Sequence, residues 1–263
     1  MPLREETAKL ITDPWFYVLA VPVVLLIGIS KGGFAGGLGT IGVPLLALAV
    51  DPREAAGVLL PILCTMDLFS TWSFRKYWDR KNLAILLPAG VAGIAAGAWL
   101  FHSLNVDMIR LLVGILALYF VGHFVVNLLR RRLPAPRPAH RGRGYFWGSL
   151  AGLTSTVAHA GGPPLSLYLL PQRLNKTYLV GTTVIFFATI NYVKLVPYAW
   201  LGQLSPGNLL TSLVLLPLAP IGVRLGVFLH HRVPETIFYW LCYGLLLVAG
   251  IRLCYQGAVN LAV

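Results

Sequence analysis

The sequence predicts an all-α polytopic membrane protein made of two inverted repeats, each a re-entrant or broken helical hairpin plus three transmembrane helices. Three observations carry that prediction. The chain of 263 residues is 57% hydrophobic and only 11% charged, with a mean hydropathy of +0.75, more apolar surface than a soluble domain of this length buries. Several apolar runs reach the roughly 20 residues a helix needs to cross a bilayer core. The halves flanking "RRRLPAPRPAHRGRG" (130–144) carry matching motifs in the same order.

The net charge of +12 does not describe a basic soluble face, because six arginines crowd into that linker and others cluster in "RKYWDRK". Short basic loops between apolar spans report membrane orientation, and a nucleic-acid partner is excluded for want of a basic face outside the bilayer. Cys64, Cys242 and Cys254 are odd in number and lie in apolar segments, which gives neither a disulfide framework nor a metal site. The start, "MPLREETAKLITDPWFYVLAVPVVLL", lacks a small-x-small cleavage signal and reads as a retained segment.

The domain boundaries follow from the linker: a first repeat over 1–129, a basic cytoplasmic linker over 130–143 and a second repeat over 144–263. "GISKGGFAGGLGTIGVPLL" lies over "GSLAGLTSTVAHAGGPPLS" without gaps, matching Gly28 to Gly148, Gly32 to Gly152, Gly42 to Gly162 and Pro44 to Pro164. "GVLLPILCTMDL" lies over "GTTVIFFATINY", which sets Thr65 on Thr189 and Asp67 on Asn191. "LPAGVAGIAAGAWLFH" lies over "LPLAPIGVRLGVFLHH", bringing Gly93 to Gly222 and Gly97 to Gly226. Each unit is a glycine-interrupted segment followed by three spans: 55–74, 82–101 and 108–129, then 177–200, 208–229 and 235–255. With the linker inside, a re-entrant second segment puts the basic "PQRLNK" and "HHRVPE" inside and the uncharged "WLGQLSPGN" outside, whereas a single crossing reverses them. Three spans plus a re-entrant hairpin make an odd number of crossings, so the copy is inverted, a recurrent plan of secondary transporters.

Irregular backbone survives in lipid only where protein buries it or it lines a wet cavity. "KGGFAGG" and "TSTVAHAGGPP" are two such stretches, one per half. Half-helix ends expose N–H groups that suit an anion, and glycine lets those amides come close to it. The candidate substrate-binding residues are therefore Lys31, Gly32, Gly33, Gly36, Thr40, Ser155, Thr156, His159 and Gly161, with Ser30 and Thr154 as further donors. The glycines of "GVAGIAAG" and "GVRLG" read instead as helix-packing seams.

Ionisable groups inside spans are costly and are functional suspects. The coupling or pathway candidates are Thr65, Asp67, Asn191 and Lys194. Asp67 reads equally as the structural partner of a lysine, and Lys194 equally as a side chain snorkelling to the outer interface. His123 and Asn127 read as an interhelical contact, and Arg224 as a snorkelling or paired side chain.

"GFAGGLGTIGVPLL", "TSTVAHAGGPPLSLYLL" and "ATINYVKL", with the basic central linker, resemble the TauE/SafE sulfite-exporter family over most of the chain. That resemblance implies a secondary transporter, often outward, of a small anion such as sulfite, thiosulfate or sulfoacetate. The expected partners are the anion, the bilayer of the cell (inner) membrane and a coupling proton or cation; a homodimer is compatible with the reading. No cofactor, metal or catalytic residue is expected. Two alternatives remain at this point: an uncoupled anion channel, which needs the same donors along its path, and a membrane-embedded enzyme using Asp67 and His159 as an acid–base pair.

Overall fold

A computed structural model describes residues 10–33, 37–130, 137–229 and 235–262. Gly36 lies outside the described residues. All regular structure among the described residues is helical. In the first half α1 (Pro14–Gly33) is followed by a 3-10 turn (Gly37–Ile41), the first interruption of regular α-helix, and a short α2 (Gly42–Leu46). The spans α3 (Pro52–Phe74), α4 (Arg80–Ser103) and α5 (Val106–Arg130) follow. The second half repeats the order with α6 (Arg141–Ala158), α7 (Gly162–Leu169) and a 3-10 turn (Leu170–Gln172). Its spans are α8 (Lys176–Trp200), the pair α9 (Pro206–Leu215) and α10 (Leu218–Leu229), and α11 (Glu235–Ala262).

Five of these helices are long and apolar enough to cross a membrane, and the bent α9–α10 pair makes a sixth candidate. The run 208–229, expected as one span, bends by 44° at its break. The reason is local: Pro217 and Pro220 each remove an amide donor, and Pro217 also clashes with the preceding turn. The matching segment of the first half has Pro88 alone and stays one helix, α4.

Loop residues fix where spans begin. Asp51 accepts from the Arg53 amide at 2.7 Å with Pro52 in the first turn, and Asp79 accepts from the Asn82 amide at 2.7 Å. Asn175 and Ser205 cap α8 and α9 in the same way. Such caps satisfy amides that the helix itself leaves without partners.

Packing pairs the halves crosswise. α1 packs along α10 and α4 along α6, while α3 packs on α8 and α5 on α11. The first two pairs are parallel seams of small residues. A Cβ built on Gly32 would lie 2.2 Å from the Val223 carbonyl oxygen, and one on Gly152 would lie 2.1 Å from that of Gly90. Only glycine admits backbones that close. The seam reading of "GVRLG" and "GVAGIAAG" thus describes how those segments pack.

The other two pairs are antiparallel. Gly57, near the start of α3, lies against Gln203 beyond the end of α8, and Gly181, near the start of α8, lies against Tyr77 beyond the end of α3. In α5 and α11, Gly114 meets Cys254 while Gly257 meets Leu111.

Two ends of the bundle can be told apart by their hydrogen bonds. At one, the Asp79 amide donates to Thr182, Asn82 bonds Gln172, and the Arg137 amide donates to the Pro171 carbonyl at 2.8 Å. The α6–α7 hairpin therefore returns to the end it left, as a re-entrant segment does. At the opposite end Arg53 donates to the Phe101 carbonyl at 3.1 Å and to the Leu104 carbonyl, and Asn260 donates to Asp107.

Candidate functional site

The site forms where the two breaks come together. α6 stops at His159, whose backbone is left-handed with φ 50° and ψ 28°. Histidine tolerates this region better than most residues, but the conformation still costs free energy and persists only where surroundings hold it. Three contacts do so here. The His159 amide donates to the Ser155 carbonyl at 3.0 Å, and its ring nitrogens lie 3.0 Å from the Ala56 carbonyl oxygen and 2.8 Å from Lys194 Nζ. The first break meets it directly: a Cβ built on Gly39 would lie 3.2 Å from the His159 carbonyl oxygen. In the ungapped match of the halves, Gly39 and His159 are equivalent positions.

Lys194 is fully buried, with 0% exposure, so the snorkelling alternative fails. Its Nζ contacts the Ser155 carbonyl at 3.1 Å, Ser155 Oγ at 3.0 Å and His159 Nδ1 at 2.8 Å. The Ala56 carbonyl only accepts, so His159 Nε2 carries the donating proton; Nδ1 of the neutral ring then accepts from Lys194. An ammonium has three donors, and all three are used. The charge is hydrogen-bonded without facing a carboxylate.

Lys31, near the end of α1, pairs instead with Asp67 Oδ1. The other carboxylate oxygen accepts from Asn191 Nδ2 at 2.7 Å. Asp67 and Asn191 are also equivalent positions of the two halves. Lys31 and Asp67 are 6% and 1% exposed, and taking such a pair out of water costs several kcal/mol per ion before their attraction offsets it. Lys31, expected among the residues that bind the anion, pairs with an internal carboxylate in this structure. The lysine-partner alternative for Asp67 is the arrangement found.

The other expected residues divide. Ser155 holds Lys194, and Thr156 donates its hydroxyl to the Gly152 carbonyl at 2.9 Å. Thr40 and Gly33 are buried beside the first break. Gly32 lies in the α1–α10 seam. A Cβ on Gly161 would lie 2.6 Å from the Ala151 carbonyl oxygen, so its position is explained by backbone packing. Thr65 turns back to the Pro61 carbonyl of its own helix at 3.0 Å. No group of three metal-ligating side chains occurs among the described residues.

Tyr198 was not anticipated. It is completely buried, donates to the Thr156 carbonyl at 2.6 Å, and stacks its ring on His159 at 6.0 Å and on Phe101 at 6.1 Å. Asn191, Lys194 and Tyr198 stand three and then four residues apart, so they share one helical face; that spacing was a readable signal.

Two cavities lined by described residues lie away from this cluster. One of about 400 Å³ is bounded by Ala47–Asp51, Arg110, Gln256 and Asn260. The other, apolar and of about 570 Å³, lies between α4 and α8 and includes Trp99 and Trp200.

Long apolar helices around two helix breaks that share a buried charged cluster define a multi-pass membrane protein with a polar centre. The sequence matches the family described as "Sulfite exporter TauE/SafE" over residues 20–253, and the chain belongs to that family. No curated protein and no solved structure matches the chain significantly. The family is one of transporters for sulfite-type anions, which removes the enzyme alternative.

Proposed function

We propose that this protein is a secondary transporter, working outward, of a small sulfur oxyanion or sulfonate such as sulfite, thiosulfate or sulfoacetate. It exposes alternately to each side a midplane site where the two breaks meet. The observation that carries the reading is the contact between equivalent positions, Gly39 with His159 and Asp67 with Asn191. Residues related by a two-fold touch each other only near its axis. Since α3 and α8 run antiparallel there, such an axis lies across the helices, in the membrane plane, as inverted repeats require.

The units are 1–129 and 144–263, joined by the linker 130–143. Rocking one unit against the other about the shared cluster would open it to either end. Basic loops gather at the end that holds Arg75, Arg80, Arg137 and Arg173, which supports its assignment to the cytoplasm of the cell (inner) membrane. The polar 400 Å³ cavity beside Asp51 then faces the other side. Lys194, Ser155, Thr156 and His159 would meet the anion from the second half, and Lys31, Gly33 and Thr40 from the first. Asp67 and Asn191 lie between them.

Purified protein in liposomes tests this. Saturable movement of sulfite, thiosulfate or sulfoacetate, with counterflow of labelled against unlabelled anion, is the expected result. Folded protein that moves none of them overturns the proposal. Flux without saturation or counterflow marks a channel instead.

A further inference from the structure

The charges of the cluster do not balance. Among the described residues the buried charged side chains are Lys31, Lys194 and Asp67. His159 is neutral by its hydrogen bonds, and we assign Lys194 as an ammonium, whose three donors match its three partners. The cluster therefore holds two cations and one carboxylate. An uncompensated charge inside a membrane protein is expensive, so the cluster is poised to accept one negative charge. A singly charged anion restores neutrality by itself. A doubly charged anion overshoots by one charge, unless a group in the cluster takes up a proton.

We propose that Asp67 is that group: as a built-in counter-anion it holds Lys31 in the empty site, and on binding a doubly charged oxyanion it takes up a proton and releases Lys31 to the substrate. This rests on the anion-transport reading above. The step is a proton transfer from bulk hydronium to a carboxylate oxygen of Asp67, which leaves a water molecule, with the Lys31 ammonium passing from Asp67 to the anion.

The surroundings of Asp67 suit both of its states. Its second oxygen is met by the amide of Asn191 rather than by another cation. An amide carries both a donor and an acceptor, so Asn191 bonds a carboxylate through its N–H and, after rotation, a carboxylic acid through its oxygen. An arginine there would hold the ionised form alone. From α1 the carboxylate faces Lys31, and from α8 it faces Asn191, with Lys194 and Tyr192 in electrostatic range. The end of α6 brings His159 against Lys194, and on α3 itself Cys64 lies one turn away, its carbonyl accepting from Tyr192. Apart from Asp67, none of these groups carries a negative charge at neutral pH, so Asp67 is the buried carboxylate available to the proton.

The test uses thiosulfate, doubly charged, and methanesulfonate, singly charged, in liposomes holding a pH-sensitive dye. In the wild-type protein a thiosulfate gradient should drive proton movement along with the anion, and a methanesulfonate gradient should not. In Asp67→Asn the proton-to-thiosulfate ratio should fall to near zero. Thiosulfate movement without protons in the wild type, or proton movement that persists in Asp67→Asn, overturns the inference. A wild type that moves neither anion overturns the transport reading instead.

Should Asp67→Asn leave Lys31 without a partner and fail to fold, the double variant Lys31→Met with Asp67→Asn removes the pair together. In that variant methanesulfonate should still raise the thermal midpoint while thiosulfate should not, since ligands stabilise the state they bind. Equal stabilisation by both anions overturns the inference.

Discussion

Lys194 shows why a buried cation in a membrane protein need not be a salt bridge. As an ammonium it gives its three protons to neutral acceptors on Ser155 and His159, and in the proposed transport its charge serves the bound anion. Lys194→Met should therefore abolish the thermal stabilisation that thiosulfate gives detergent-purified protein, while the folded helix content by circular dichroism is retained. Tyr198 has a different task, because it holds the break from behind. Tyr198→Phe keeps the stacked ring but leaves the buried Thr156 carbonyl without its donor, at a cost of about 1–3 kcal/mol; a lowered thermal midpoint checks this. Of these residues the sequence made Lys194 legible as unusual but not its surroundings. Helical spacing says which face a side chain is on, and only the partner helices say whether that face meets lipid or another break.

At the scale of elements, the seams decide how close the two halves stand. A Cβ on Gly226 would lie 2.3 Å from the Ile29 carbonyl oxygen, and backbone cannot give way as a flexible side chain does. Gly226→Ala should cost about 1–3 kcal/mol by overpacking, read as a fall in the thermal midpoint. Gly122→Ala should leave that midpoint nearly unchanged, because a Cβ there has nothing within 4 Å. The sequence made Gly222 and Gly226 legible as packing positions through their spacing. It read Gly32 differently, as part of the candidate site beside the first interruption, and yet Gly32 packs in the same α1–α10 seam as Gly226. The bend between α9 and α10 was also missed: prolines three residues apart break the ladder where the single Pro88 does not.

For the whole molecule, the proposed topology places Arg173 on the cytoplasmic side and Gly202 outside. After Cys64, Cys242 and Cys254 are replaced by alanine, a cysteine at position 202 should react with a membrane-impermeant maleimide added to intact cells. One at position 173 should react only after the cells are opened. Labelling of position 173 in intact cells and of position 202 only after opening would refute a re-entrant second hairpin, since a single crossing would exchange their sides. The bundle depends on that hairpin, because the Arg137–Pro171 bond closes it at the end where it began.

By itself the sequence determined the class, the limits of most spans, and the presence of two interruptions in matching places. Those properties follow from hydrophobic run length, from glycine and proline, and from where arginines fall, all of which act locally along the chain. Tertiary structure alone decided that Gly39 meets His159, that Lys31 is claimed by Asp67, and that Lys194 is buried rather than exposed at the interface. Each depends on contacts between residues far apart in the chain. The local physics of a span is the same whether its polar face meets lipid, water or another helix; only packing chooses among them.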